Sequence, residues 1–185
     1  MKKAYFSALI LSLAILTSAP ALAADSGRID LAPVAATLGS APKVNINFGP
    51  AMISGFAESM RQSSPQLAEV LTTVSGLRLM VFENVDTGAA ESSISAMIDQ
   101  LNVTGWTAAV TVRDDDTLVD IYLKESADFV DGLVLLLRDG PDTAVIANIH
   151  GRLDPVTVGQ LIGGGKAMDG FSLDGLMGQL QGRGN

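Results

Sequence analysis

Cysteine is absent from this chain, and histidine and tryptophan occur once each. Without a thiol there is no disulfide staple, no thiolate nucleophile, no iron–sulfur cluster and no Cys-ligated zinc. Stability has to come from packing, for which a 48% apolar composition is ample. Basic residues are scarce too: 12 Lys and Arg face 20 Asp and Glu. Lys2 and Lys3 lie in an expected export signal, so the rest of the chain carries 10 basic against 20 acidic residues, about −10. A field of that sign repels nucleic acid and anionic lipid, and no nucleic-acid partner is expected.

Only one long apolar run exists, at the N-terminus. Lys2 and Lys3 precede apolar residues 4–17, which lead into Ala21-Leu22-Ala23, a small-x-small cleavage site. The run is shorter than the roughly 20 apolar residues a spanning helix needs. Residues 1–23 are therefore predicted to be a cleaved signal peptide, and the mature chain to begin at Ala24, periplasmic or secreted, in a Gram-negative envelope. With no cysteine after the cut, no lipid can be attached there, and no membrane anchor is expected in the mature chain.

Residues 24–42 mix small, polar and Pro/Gly residues without a period and read as a flexible arm. A single α+β domain is expected over 43–162. Val44, Ile46 and Phe48 alternate with Asn45 and Asn47, as in a strand with one buried face. Gly49-Pro50 starts a helix with Ile53, Phe56, Ala57 and Met60 on one stripe. Ser64-Pro65 starts a second, with Leu67, Val70, Leu71 and Val74. Residues 77–82 are apolar on both parities, as in an interior strand. Ile94, Met97, Ile98 and Leu101 mark a helix over 89–103. Residues 106–113 and 117–124 flank the turn Asp114-Asp115-Asp116, and 130–138 and 143–150 flank Asp139-Gly140-Pro141-Asp142. Asp154-Pro155 caps a closing helix with Val158, Leu161 and Ile162. The order is β-α-α-β-α-β-β-β-β-α: a mostly antiparallel sheet of about six strands with helices packed on one face. Residues 163–185 form a Gly-rich tail.

The phrases KVNINFGPAMISGFAESM, Leu77 to Glu83, and GLVLLLRDGPDTAVIANIHGRLDP, with Asn148-x-x-Gly151-x-x-Asp154-Pro155 inside the last, resemble an exported bacterial family. That family is known only as domain of unknown function 4252, and the resemblance covers about residues 43–162. It implies compartment and architecture; the family has no established activity, so no catalytic or binding residue comes with it. Relatives often look like lipoproteins, a pattern this chain leaves by lacking the cysteine.

No motif names a reaction. His150 would need a buried Asp and a nucleophilic Ser to form a triad, and no G-x-S-x-G elbow occurs. Three consecutive aspartates cannot reproduce the alternating ligand spacing of a calcium loop. Gly163-Gly164-Gly165-Lys166 fails the phosphate-loop pattern at Gln160 and Ala167. No catalytic residue, metal or cofactor is expected. Asn45, Asn47, Arg78, Arg113, Asp120, Tyr122, Lys124, Asn148 and His150 are polar members of otherwise apolar strands. If they share a sheet face, that face is open, and Asn45, Asn47, Arg78, Tyr122, Asn148 and His150 form a ligand or partner face. Leu173, Leu176, Met177 and Leu180 keep helical spacing in the tail and suit partner docking or packing back on the domain. The expectation is a non-enzymatic binding or accessory domain in envelope maintenance or signalling, meeting an unknown protein or small ligand in the periplasm. The alternatives are a hydrolase using His150 and a self-assembling envelope component.

Overall fold

Segments that alternate in polarity, or run apolar on both parities, form β1 (Val44–Phe48), β2 (Val74–Phe82), β3 (Thr107–Arg113), β4 (Thr117–Glu125), β5 (Val130–Asp139) and β6 (Thr143–Leu153). The structure, a computed structural model, describes residues 26–114, 117–140 and 142–163. The strands make one six-stranded sheet in the order β1-β2-β6-β5-β4-β3, antiparallel at every pairing. Helices α1 (Ala32–Thr37), α2 (Pro50–Met60), α3 (Pro65–Thr73), α4 (Thr87–Val103) and α5 (Pro155–Gly163) complete an α+β domain. The element order is the expected one, with α1 added in front.

Local chemistry sets the helix ends. Pro50 and Pro65 open α2 and α3, where the missing N–H costs nothing. The Asp86 carboxylate accepts from the Ala89 N–H at 2.9 Å, so α4 begins at Thr87. Gly105, at φ +79°, ends it. The Lys124 ammonium donates to the carbonyls just past the C-terminus of α4, Thr104 O and Gly105 O. At α5 the Asp154 carboxylate accepts from the Thr157 N–H and hydroxyl, and those bonds hold its carboxyl below the usual carboxylate range.

Register divides the sheet into two faces. Asn47, Arg78, Asn148, Val134 and Tyr122 form one row, and Asn45, Met80, Ile146, Leu136, Asp120 and Thr111 the next. This is the mixed face. The opposite face is apolar in its interior: Phe48, Leu77, Ile149, Leu133 and Leu123 in a lower row that ends at Thr107, then Ile46, Leu79, Ala147, Leu135, Ile121 and Val110, then Val44, Val81, Val145, Leu137, Val119 and Val112, with Thr143, Asp139 and Thr117 at the rim.

Helices lie on both faces, whereas the sequence places them on one. The mixed face is polar only in places. Met80, Phe82, Val134, Leu136, Ala144 and Ile146 are apolar there, and they bury against Leu31, Val34 of α1, and Ala90, Met97 and Leu101 of α4. On the apolar face α2 packs Phe56 against Phe48, the rings tilted by 55° with centroids 5.2 Å apart. Beside it, α3 meets β2 and β6. There α5 sets Val158 and Ile162 against Leu123, Leu133 and Ile149.

Two stripes are rotated from their expected setting. In α3 Ala68 is buried and Leu67 exposed; in α4 Ser93 turns inward, its hydroxyl satisfied by the Ala89 carbonyl at 2.7 Å.

The expected flexible arm departs most. Residues 26–38 lie on the mixed face with Leu31 fully buried. Gly27 crosses Gly132 so closely that a Cβ on either would collide with the other strand's backbone.

Candidate functional site

The nine polar strand residues do share a face, and most have an intramolecular task there. Asn148, fully buried, donates from Nδ2 to the Gly27 carbonyl at 2.9 Å and to the Leu133 carbonyl at 3.1 Å. Its Oδ1 accepts from the Ile29 N–H at 3.1 Å. One carboxamide thus ties the arm down as a strand would. Ser26 adds a hydrogen bond to Asp131, and Arg78 lies 3.8 Å from the Asp30 carboxylate. Lys124 serves α4, as above. His150 is buried between the glycines that face it, Gly76 and Gly132. A Cβ at Gly76 would meet the imidazole Cε1 at 2.9 Å, so glycine there makes room for the ring. Tyr122 is buried in the main core; burial pushes its phenol up, the Asp120 carboxylate adds to this, and Arg113 offsets part of it. Asn45 and Asn47 alone of the proposed ligand face stay exposed, at the β1 edge. The expected open, hydrophilic face is therefore largely occupied by the chain itself.

What remains concave lies at the other end of that face. Where α4 passes over β3, β4 and β5, a half-open cleft of about 250 Å³ has Ile94 and Ile98 on one wall and Leu118 and Leu136 on the other. Its polar groups are Ser95 and two ion pairs. Arg113 NH2 donates to both oxygens of Asp120 at 2.9 Å each, and the Thr111 hydroxyl donates to Asp120 Oδ1 at 2.9 Å. Arg138 NH1 donates to Glu91 Oε1 at 2.5 Å. The pairs differ in setting: Asp120 is 7% exposed and Arg113 48%, whereas Arg138 is 19% exposed and its carboxylate partner Glu91 60%. Arg138 is the more buried member of its pair, and Glu91 faces water.

The sequence singled out Arg113 and Asp120 but not Arg138, Glu91 or Ser95. The available signal was Arg138 falling on the same strand parity as Val134 and Leu136. His150 does not line the cleft. No group of three or more metal-ligating side chains occurs among the described residues. The Asp114-Asp115-Asp116 turn and the Leu173, Leu176, Met177, Leu180 stripe fall partly or wholly outside those residues.

The Arg113–Asp120 pair also bears on stability. Arg113→Ala leaves the Asp120 carboxylate nearly buried with the Thr111 hydroxyl as its remaining donor, and an expected loss of about 1–2 kcal/mol, discounted because Arg113 is half exposed. Urea midpoints should show it, with Asp120→Asn in the Arg113→Ala background recovering part.

Residues 40–161 match the family described as a domain of unknown function, number 4252. No curated protein and no solved structure matches.

Proposed function

The chain belongs to the domain of unknown function 4252 family, and from that premise and the cleft's chemistry we propose a non-enzymatic binding domain, exported to the periplasm as an accessory in envelope maintenance or signalling. Its contact site is the cleft under α4. One observation carries this: the cleft's four charged groups are arranged as two guanidinium–carboxylate pairs, and the single histidine sits elsewhere. A pair of that kind holds charge in place; it presents neither a nucleophile nor a base aimed at one.

The volume narrows the ligand. At about 250 Å³ the cleft is smaller than a typical small-molecule pocket, roughly 300–1,000 Å³, and suits one side chain of a partner or a small acid. Arg138 offers the guanidinium. An incoming carboxylate replaces Glu91 on it, while Ile94, Ile98, Leu118 and Leu136 take the apolar part of the same group. The protein's overall negative charge opposes this little at contact range, because salt screens it over about 8 Å.

A photo-cross-linking residue at Ser95 in intact cells is expected to give one dominant adduct that disappears with Arg138→Ala, while the same residue at Asn45 gives none. A Ser95 adduct indifferent to Arg138→Ala would sink the assignment. Export is checked separately: the periplasmic fraction should hold a chain starting at Ala24.

Self-assembly is the second reading, favoured by β3, an edge strand exposed along almost its whole length. A bulge between Ala108 and Val110 breaks the regularity that edge pairing needs. Light scattering decides, since edge pairing requires a mass that rises with concentration.

A further inference from the structure

We infer that the partner enters the cleft by its C-terminus: its last residue, branched and aliphatic, sets a free α-carboxylate on Arg138 and its side chain between helix and sheet. The inference rests on the cleft being the contact site and names the group it takes. Terminal carboxylates are a recurring handle in peptide recognition.

Register puts the two halves of such a group side by side. Arg113, Leu118 and Arg138 form one row across β3, β4 and β5, and Leu136 precedes Arg138 on the same face of β5. Leu118 is thus one strand spacing from Arg138, about 4.8 Å, and Leu136 one same-face step, about 7 Å. A carboxylate and a branched side chain diverging from one Cα match that separation. The side chains of aspartate and glutamate do not, having only one or two methylenes to lay on apolar walls. The walls here are Ile94, Ile98, Leu118 and Leu136, all branched.

The helix supplies a second donor. Glu91, Ile94, Ser95 and Ile98 fall at i, i+3, i+4 and i+7 of α4 and share its cleft side. Glu91 accepts from Arg138 through one oxygen, and at 60% exposure it returns to water at little cost when another carboxylate takes its place. Ser95, one turn on, has no hydrogen-bond partner among the described residues, so its hydroxyl is available to the newcomer beside the Arg138 guanidinium. An amidated chain end brings no charge to replace that of Glu91.

Exposure falls along the row, from 48% at Arg113 to 19% at Arg138, so the cleft deepens inward from the β3 edge. From that edge to β5 is two strand spacings, about 10 Å, the reach of three extended residues. The partner's last three residues therefore lie in the cleft, and its chain leaves past Arg113. A free small acid would leave that length empty.

Fluorescein-labelled Gly-Ser-Gly-Leu, added to the mature chain and followed by fluorescence anisotropy, should bind at least tenfold more tightly as the free acid than as the C-terminal amide. Arg138→Ala should abolish that preference. Glu91→Gln, at an exposed position that folding tolerates, should tighten the free acid several-fold, because a neutral side chain yields Arg138 more readily. Equal binding of acid and amide, no binding of either, or no gain in Glu91→Gln overturns the inference. Isocaproate binding as tightly as the peptide gives the cleft to a free acid and overturns it too. An Arg138-dependent preference for amidated Gly-Ser-Glu-Gly would overturn it while leaving the cleft as the contact site, whereas a Ser95 adduct indifferent to Arg138→Ala would remove both.

Discussion

Gly151→Ala is expected to cost about 3 kcal/mol or more. Gly151 has φ +154°, a backbone conformation L residues rarely adopt. Any Cβ there would lie inside contact distance of the Thr73 carbonyl oxygen and 2.7 Å from the Ser75 nitrogen. Both are backbone atoms, so no rotamer change relieves the collision. The cause is the bulge on β2: Val74 faces Gly151 and Gly76 faces His150, leaving Ser75 without a partner and pushing the start of β2 toward β6. Relief would require opening the β2–β6 ladder, which holds the two halves of the sheet together. Urea unfolding should show a lower midpoint with an unchanged slope; a variant within about 0.5 kcal/mol of wild type would mean that the bulge relaxes freely.

Asn148→Ala should cost nearly as much, about 2–4 kcal/mol, through a different mechanism. The carboxamide satisfies the Gly27 carbonyl and the Ile29 N–H on a segment with no strand pairing of its own. Truncation leaves those groups against the sheet without partners, at about 1–3 kcal/mol each when they stay buried. The cheaper response is for residues 26–38 to lift away and expose Leu31. Trypsin at Arg28 separates these outcomes. Cleavage there should be faster in Asn148→Ala than in wild type, while the rest of the domain keeps its resistance. Equal cleavage rates would show that the arm is held by Leu31 and α1 alone.

Most of the fold was legible because period and turn chemistry are local properties. Val44, Ile46 and Phe48 against Asn45 and Asn47 announce β1, and Ser64-Pro65 announces α3, without knowledge of any partner. Alternation sets Asn47, Arg78, Asn148 and Tyr122 on one parity of their own strands, whereas the register that brings them to one face comes from the pairing. What those residues do on that face is not a local property. Asn148 bonds to backbone groups at positions 27 and 29, and a backbone carbonyl leaves no mark in the sequence. The Gly27–Gly132 crossing is equally silent, since a glycine needed for close approach looks like any loop glycine. The arm reads as loose because Leu31, Val34 and Leu38, which bury it, span barely two turns, and its remaining hold is the close Gly27–Gly132 crossing and the Asn148 carboxamide. The cleft escaped notice because Arg138 and Glu91 come from different elements, and only the passage of α4 over β5 brings them together.

Trp106, the chain's sole tryptophan, is buried in the same cluster as Leu31, Val34 and Leu38. That placement gives the protein a built-in optical gauge. Its emission reports on the arm as well as the domain: lifting residues 26–38 should shift it toward the red while far-ultraviolet dichroism stays almost constant, and global unfolding should move both together. The two events can therefore be told apart in one cuvette, with no label.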